Sequence, residues 1–530
     1  MPQEVHDYRS LLTKGELSWH AGDGILRYDF VNSTPPAYYR SGGQWEIAGT
    51  VFGNADRFAM DARERGMMDL AVARWNEVAD INLVRGGGDS ADIVIGSAAF
   101  RPGLFGLAYY PDSAALGRFP TRHGDIWLNH ASDQQYIPGV GPVLGHTSWY
   151  TYLHELGHAL GLSHPNDRPN DPDSNAKYTV MSYVDHPSQR AHSPSDAAFP
   201  LTPMVWDIQA VQALYGFNTD TRDGTTVYLG SGAGFDPQAE RAFQYGSDGL
   251  TLRGADGRIR DVILTIWDGG GEDLLDASDF SQDGKIDLRP GQFSSLAGKV
   301  DNIAVAASQR VDGHVVNFIE QAWGGVGQDW ISGNATHNTL RGGAGDDELR
   351  GWAGRDTLDG GAGQDWLIGH RGRDLLRGED GNDRLEGGAH RDRLVGGQGQ
   401  DRLAGGQGHD RLRGQSGDDR LWGDTGNDRL WGGPGQDTLN GGQGQDRLVG
   451  GSGSDVFVFV GGADEVIDFS VGQGDVIDLT RADGIDDFSA LNNGPLAETG
   501  AGLLITDADG DSLLLHGITR ADISAEQFLF

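Results

Sequence analysis

The stretch that decides the fold runs from residue 324 to 458 and reads in nines: GGVGQDWIS at 324–332, GNATHNTLR at 333–341, GGAGDDELR at 342–350, and so on to GGSGSDVFV at 450–458. Those 135 residues hold fifteen units without a slip. The sixth position is Asp in fourteen of them: Asp329, Asp347, Asp356, Asp365, Asp374, Asp383, Asp392, Asp401, Asp410, Asp419, Asp428, Asp437, Asp446 and Asp455. Only Asn338 departs. The eighth position is always apolar, from Ile331 through thirteen leucines to Phe457. A fixed period held this long signals a solenoid; a Gly-rich linker would not keep it. Glycine permits the positive-φ turns that gather backbone carbonyls, and the neighbouring Asp adds a carboxylate. Such a cluster of oxygens suits a hard cation such as Ca²⁺, so the fourteen aspartates are candidate calcium ligands. The residues around position eight predict a short strand with its apolar side chain turned inward.

Composition agrees that one part of the chain is built differently. Of 84 glycines, 37 fall inside the repeats. At 530 residues the chain is multidomain in length, and it has no cysteine, which excludes disulfides and thiol chemistry. The 77 acidic residues against 41 basic ones leave a net charge of −36, which argues against nucleic acid as a partner. No apolar run reaches the ~18 residues of a membrane-spanning helix, so no membrane insertion is expected. The opening MPQEVHDYRSLLTKGELSWH lacks the pattern of a secretory signal peptide, so export by another route is the expectation.

The chemistry lies upstream, in TYLHELGHALGLSH at 151–164. His154 and His158, four residues apart, share one face of a predicted helix. Two imidazoles there make half of a Zn²⁺ site, and Glu155 is placed to act on a water at the metal. Gly161 can end the helix, so that the chain turns and His164 supplies a third nitrogen. One catalytic zinc with Glu155 as general base predicts hydrolysis of an amide without a covalent intermediate.

HELGHALGLSH followed by Pro165 resembles the long zinc signature of the metzincin proteases, and its His-Pro ending resembles the serralysin family. The nonapeptides resemble the calcium-binding repeats of RTX proteins. Together these imply a multidomain fold: an α/β metzincin catalytic domain followed by a C-terminal parallel β-roll with two repeats per turn. The implied function is a secreted zinc endopeptidase stabilised by several Ca²⁺ ions. By resemblance, VMSY supplies a Met-turn, with Met181 structural beneath the zinc and Tyr183 catalytic beside it. The likeness further implies a helix at 59–79, a strand at 91–98 and an edge strand lining the cleft at 124–130. It also implies a last catalytic-domain helix at 201–216, with Thr202 as a candidate N-cap, and the start of the calcium-binding domain at 265–280. The resulting division is 1–20 as a removable extension, 21–235 as the protease domain and 236–323 as the start of the β domain. The roll follows at 324–458, then capping strands and a type I secretion signal, ending in AEQFLF, at 459–530. Implied partners are protein or peptide substrates, the type I secretion machinery and a proteinaceous inhibitor, acting on a monomer. The competing reading is a calcium-dependent adhesin or surface-binding protein with an inactive protease domain.

Two further features complete the reading. His20, His123, His146, His186 and His192 lack ligand spacing and are read as surface or satisfied residues. Position seven of the repeat is Arg in seven units. With two repeats per turn, Arg384, Arg402 and Arg420 would stack in one ladder, and Arg393, Arg411, Arg429 and Arg447 in another. A solvated surface and a docking face for an anionic polymer are both open from sequence.

Overall fold

The computed structural model describes residues 11–12, 19, 25–32, 40–41, 44–47, 50–52, 59–88, 91–100, 106–109, 124–129, 147–165, 175–182, 200–230, 240–242, 263–296, 302–306, 309–311 and 314–530. Helix α1 (Ala62–Val78) begins where Asp61 accepts the Glu64 N–H at 2.9 Å and Glu64 reaches back to the Asp61 N–H at 2.5 Å. That reciprocal pair satisfies two orphan donors. Its apolar stripe of Met67, Met68, Ala71, Trp75 and Val78 is buried against helix α2 (Thr147–Ala159). Both helices pack on a five-stranded sheet ordered Leu83–Arg85, Leu26–Phe30, Ile93–Ala98, Ile126–Asn129, Gly106–Ala108. The first four strands run parallel and the last is antiparallel.

This order corrects one expectation. The strand at 124–130 is not the edge: Ile126–Asn129 is buried on both flanks, because Gly106–Ala108 folds back antiparallel beside it. Helix α3 (Val205–Tyr215) supplies a second correction. Its N-cap is Met204, whose N–H donates to Asp207 at 2.8 Å. Thr202 instead exchanges hydrogen bonds with Thr265 (2.8 and 3.2 Å), tying the protease-like part to the β part. The helix ends at Gly216, whose φ of +88° suits glycine.

The repeats build a parallel β-solenoid. Alternate units pair in register eighteen residues apart, as in Leu340↔Leu358 and Leu349↔Leu367, giving two facing sheets of fifteen and eleven strands. Every position-eight side chain from Ile331 to Phe457 is buried. Pairing runs further than expected from the apolar residues alone, since it resumes past the corner at Gly343↔Gly361 and Ala344↔Ala362. The long sheet also extends upstream of the repeats, through Thr226–Leu229, Leu274–Asp276 and Gln321–Trp323. Downstream, Ala463–Val466 and Val476–Asp478, expected as caps, instead continue the two sheets. The stack is closed by antiparallel Gly502–Thr506 and Leu496–Glu498, a short edge that blunts further pairing. The final strand, Phe528–Leu529, pairs with Val476–Asp478 and buries Phe528. Leu11 is also fully buried, and its carbonyl accepts the Ser163 N–H at 2.7 Å.

The position-eight column has identical leucines above and below each member, so a missing side chain leaves a cavity that its neighbours cannot collapse into. Leu403→Ala should therefore cost about 2–5 kcal/mol in chemical denaturation with calcium present. A loss below about 1 kcal/mol, the size of an ordinary surface change, would contradict a packed column.

Candidate active site and turn aspartates

Helix α2 carries His154, Glu155 and His158, and it ends in a left-handed turn that brings His164 back. Leu162 N–H bonds Gly157 O and Gly161 N–H bonds His158 O, both at 2.9 Å, with Gly161 at φ +101°. This double bond pattern reverses the chain. His164 Nε2 then lies 3.0 Å from His154 Nε2 and 2.9 Å from His158 Nε2. Among the described residues these three form the one cluster of three or more histidine or acidic side chains with ligand atoms all within 4.8 Å of one another. His154 Nδ1 faces the Val180 carbonyl and His158 Nδ1 the Leu162 carbonyl, each at 2.7 Å. A carbonyl only accepts, so both Nδ1 atoms carry the proton and both Nε2 lone pairs face inward. Burial lowers all three imidazole pKa values, His154 to about 4, which keeps them neutral. Neutral nitrogens oriented by backbone acceptors are the donor set Zn²⁺ takes.

Glu155 is buried beside this cluster. Burial raises its carboxyl pKa to about 8, and a hydrogen bond from the Ala108 backbone opposes the rise. That places it against the true edge strand, where a Cβ on Gly106 would stand 2.7 Å from Glu155 Oε1. Met181 lies under the helix, and a Cβ on Gly157 would meet its Sδ at 2.6 Å. Gly157 thus serves close packing where sequence showed only lowered helix propensity. Tyr183 and the five histidines read from sequence as surface or satisfied residues (His20, His123, His146, His186, His192) fall outside the described residues.

Sequence reasoning missed Asp207. Its carboxylate is fully buried and accepts from Thr179 Oγ1 at 2.5 Å, Val180 N–H at 2.7 Å and Met204 N–H at 2.8 Å. It thereby fixes the segment whose Val180 carbonyl orients His154. The available signal was the lone charged residue in the helix VWDIQAVQALY.

In the roll, the turn aspartates share one geometry. Oδ1 accepts the backbone N–H of the residue eighteen positions back, as in Asp383 N–H to Asp401 at 2.9 Å and Asp392 N–H to Asp410 at 2.8 Å. Oδ2 is buried with no hydrogen-bond partner in Asp347, Asp356, Asp365, Asp374, Asp383, Asp392, Asp401, Asp410, Asp419, Asp428, Asp437, Asp446 and Asp455. A Cβ on Gly396 would sit 2.2 Å from Asp401 Oδ2 and 2.8 Å from the Gly414 carbonyl, so both oxygens converge on one space. Orphaned buried carboxylate oxygens facing carbonyls fit Ca²⁺. The two exceptions support this. Asn338 donates Nδ2 to Glu320 O at 3.1 Å and is satisfied internally, while Asp329 already accepts from Gly284 and Gly325 (2.6 and 2.7 Å). Further acidic residues lie at 265–320: Asp268 and Asp273 are buried and Glu320 half-buried, and burial raises all three carboxyl pKa values.

Burial pushes the turn carboxyls to about 7 at Asp401 and about 8 at Asp392 and Asp428. Their folded pKa exceeds the unfolded value near 4, so their stabilising contribution is fully present below that value and is lost as pH rises through the folded one. In chelator, circular dichroism should therefore show more β structure at pH 4–5 than at pH 8. Saturating calcium should remove the difference. Equal β signal at both pH values in chelator would contradict the geometry.

Residues 217–494, just over half of the chain, match the family described as Peptidase M10 serralysin C terminal. The chain is 33% identical to serralysin from Proteus mirabilis over 346 residues, covering 60% of this chain and 65% of the relative. It is 32% identical to metalloprotease AprA from Pseudomonas entomophila, covering 60% of each, and 29% identical to serralysin G from Dickeya chrysanthemi, covering 63% and 65%. It thus spans somewhat under two thirds of the length of these relatives. With a roll whose turns bury unpaired carboxylate oxygens and a three-histidine cluster on a helix and its C-terminal turn, that match makes the chain a member of the M10 serralysin peptidase family.

Proposed function

We propose that this chain is a secreted zinc-dependent endopeptidase that hydrolyses peptide bonds in proteins and is stabilised by calcium in its roll. The observation that carries this reading is the convergence of three neutral imidazole nitrogens beside the buried Glu155 carboxyl. His154, His158 and His164 would hold the metal. Zinc bound there would polarise the scissile carbonyl and acidify water. Glu155 takes the proton of the attacking water and returns it to the leaving amine. The Gly106–Ala108 edge offers the backbone groups that an extended substrate needs for strand addition. Met181 supports the cluster from below, and Tyr183 is proposed to donate a hydrogen bond in the transition state.

Calcium is assigned to the thirteen turn aspartates with an orphaned oxygen. The domain division proposed is residues 21–235 for the protease and 236–530 for the roll with its flanks, the latter exported while calcium-free and unfolded. A protein substrate and the type I secretion machinery follow as partners.

Glu155→Ala should keep one zinc per chain, because Glu155 is not a ligand, while casein hydrolysis falls about 10²–10⁴-fold. His164→Ala should lose zinc as well. A Glu155→Ala protein with full zinc and near-parental activity would sink the mechanism. A parent protein inert on casein and on a mixed peptide library would favour the adhesin reading.

A further inference from the structure

At the fifth repeat position arginine falls on one edge of the roll only. Turns that lead into the fifteen-stranded sheet carry His337, Arg355, Arg373, Arg391 and His409 there, all exposed, before the row passes to Asn427 and Gln445. Turns that lead into the eleven-stranded sheet carry Gln328, Asp346, Gln364, Asn382, Gln400 and Asp418 at the same position. A surface charged only for solubility has no reason to separate the two edges. Beside Arg355, Arg373 and Arg391 runs a second row, stacked in register as Arg393↔Arg411, Arg411↔Arg429 and Arg429↔Arg447. The two rows meet at a surface groove of ≈ 380 Å³ lined by Arg355, Arg373, Arg391, Arg393 and Arg411.

Charge balance makes this groove unusual in a chain of net charge −36. Among the described residues none of its five arginines is ion-paired; the roll's ion pairs are Arg350–Glu348, Arg384–Glu386 and Arg447–Glu465. The groove's own carboxylates, Asp374 and Asp392, are buried turn residues. On the calcium reading above, those carboxylates are neutralised by the ion, so a loaded roll presents guanidinium groups alone. Coils follow one another at about 4.8 Å, so each row is a straight, evenly spaced series of forked donors. Guanidinium binds carboxylate and sulfate with two parallel hydrogen bonds.

We propose that this groove binds an acidic polysaccharide, one anionic group to each arginine step, and holds the enzyme on surfaces coated with such a polymer. A straight ladder fits an extended chain with a charge on successive sugar residues, whereas the duplex backbone of DNA curves away from it. The groove is separate from the histidine cluster, so docking and hydrolysis are independent.

The test uses the full chain in saturating calcium, with chondroitin sulfate as probe and neutral dextran and duplex DNA as comparators. Replacing Arg355, Arg373, Arg391 and Arg411 by Gln should weaken chondroitin sulfate binding by about tenfold or more at ~0.1 M salt and flatten its salt dependence. Casein turnover and the calcium-induced β signal should stay at the parental level. Replacing Arg384, Arg402, Arg420 and Arg481 by Gln removes the same charge elsewhere and should leave binding within about twofold. If the groove set fails to fold, the pair Arg373→Gln and Arg391→Gln carries the test, with a smaller loss of the same sign. Binding by the groove set equal to the parent, or an equal loss in both sets, overturns the site. Duplex DNA bound as tightly as chondroitin sulfate overturns the polysaccharide assignment.

Discussion

A column of carboxylate oxygens with nothing to bond is the constraint on which this molecule rests. Thirteen turn aspartates bury an Oδ2 without a partner, one above another along the solenoid. Buried unpaired charge costs several kcal/mol per group in practice, far more than a single repeat can recover from one leucine. The chain cannot satisfy these oxygens itself, because Oδ1 is already committed to the N–H of the coil before. On the proposed calcium reading, a divalent oxygen-seeking cation would meet the deficit, and its binding energy would become folding energy. Asn338 supplies the internal contrast: where the carboxylate is an amide, the turn closes on its own hydrogen bonds.

The histidine cluster depends on the roll through a short chain of contacts. Val180 O orients His154, Asp207 holds Val180, and the same segment ends in Tyr178, which stacks on Trp206 at 5.1 Å. Tyr178 also meets Phe293 of the β part edge-on at 5.3 Å, and Lys177 lies over that ring at 4.4 Å. Thr202 and Thr265 close the junction on the other side. The segment that orients His154 is thus packed against the β part. On the proposed function, this contact would couple order in the β part to the histidine cluster, although no turn aspartate touches the histidines.

What sequence made legible was whatever repeats or has fixed spacing. The nine-residue period yields the two-per-turn stack and its buried leucines, because every unit states the same pattern. The four-residue step from His154 to His158 places both on one helical face, and Gly161 marks the reversal to His164. The edge strand was not legible: IWLN and GLA are both short and apolar, and only the antiparallel return of Gly106–Ala108 decides which is outermost. Thr202 followed by Pro203 reads as a helix start, but Asp207 caps Met204 and frees Thr202 for a contact 63 residues away. Long-range partners of this kind leave no local periodicity. The reach of the two sheets beyond the repeats was hidden for the same reason, since strands such as Thr226–Leu229 lack the glycine signature.

The most direct measurement is amide hydrogen exchange across residues 339–458 of the full chain, with saturating calcium and with excess chelator at pH 7.5. The account predicts slow exchange throughout these coils with calcium and fast exchange without it, while helices α1 and α2 keep at least part of their protection. Equal protection of the coils in both conditions would mean that the buried carboxylates find partners within the chain, and the account would be wrong.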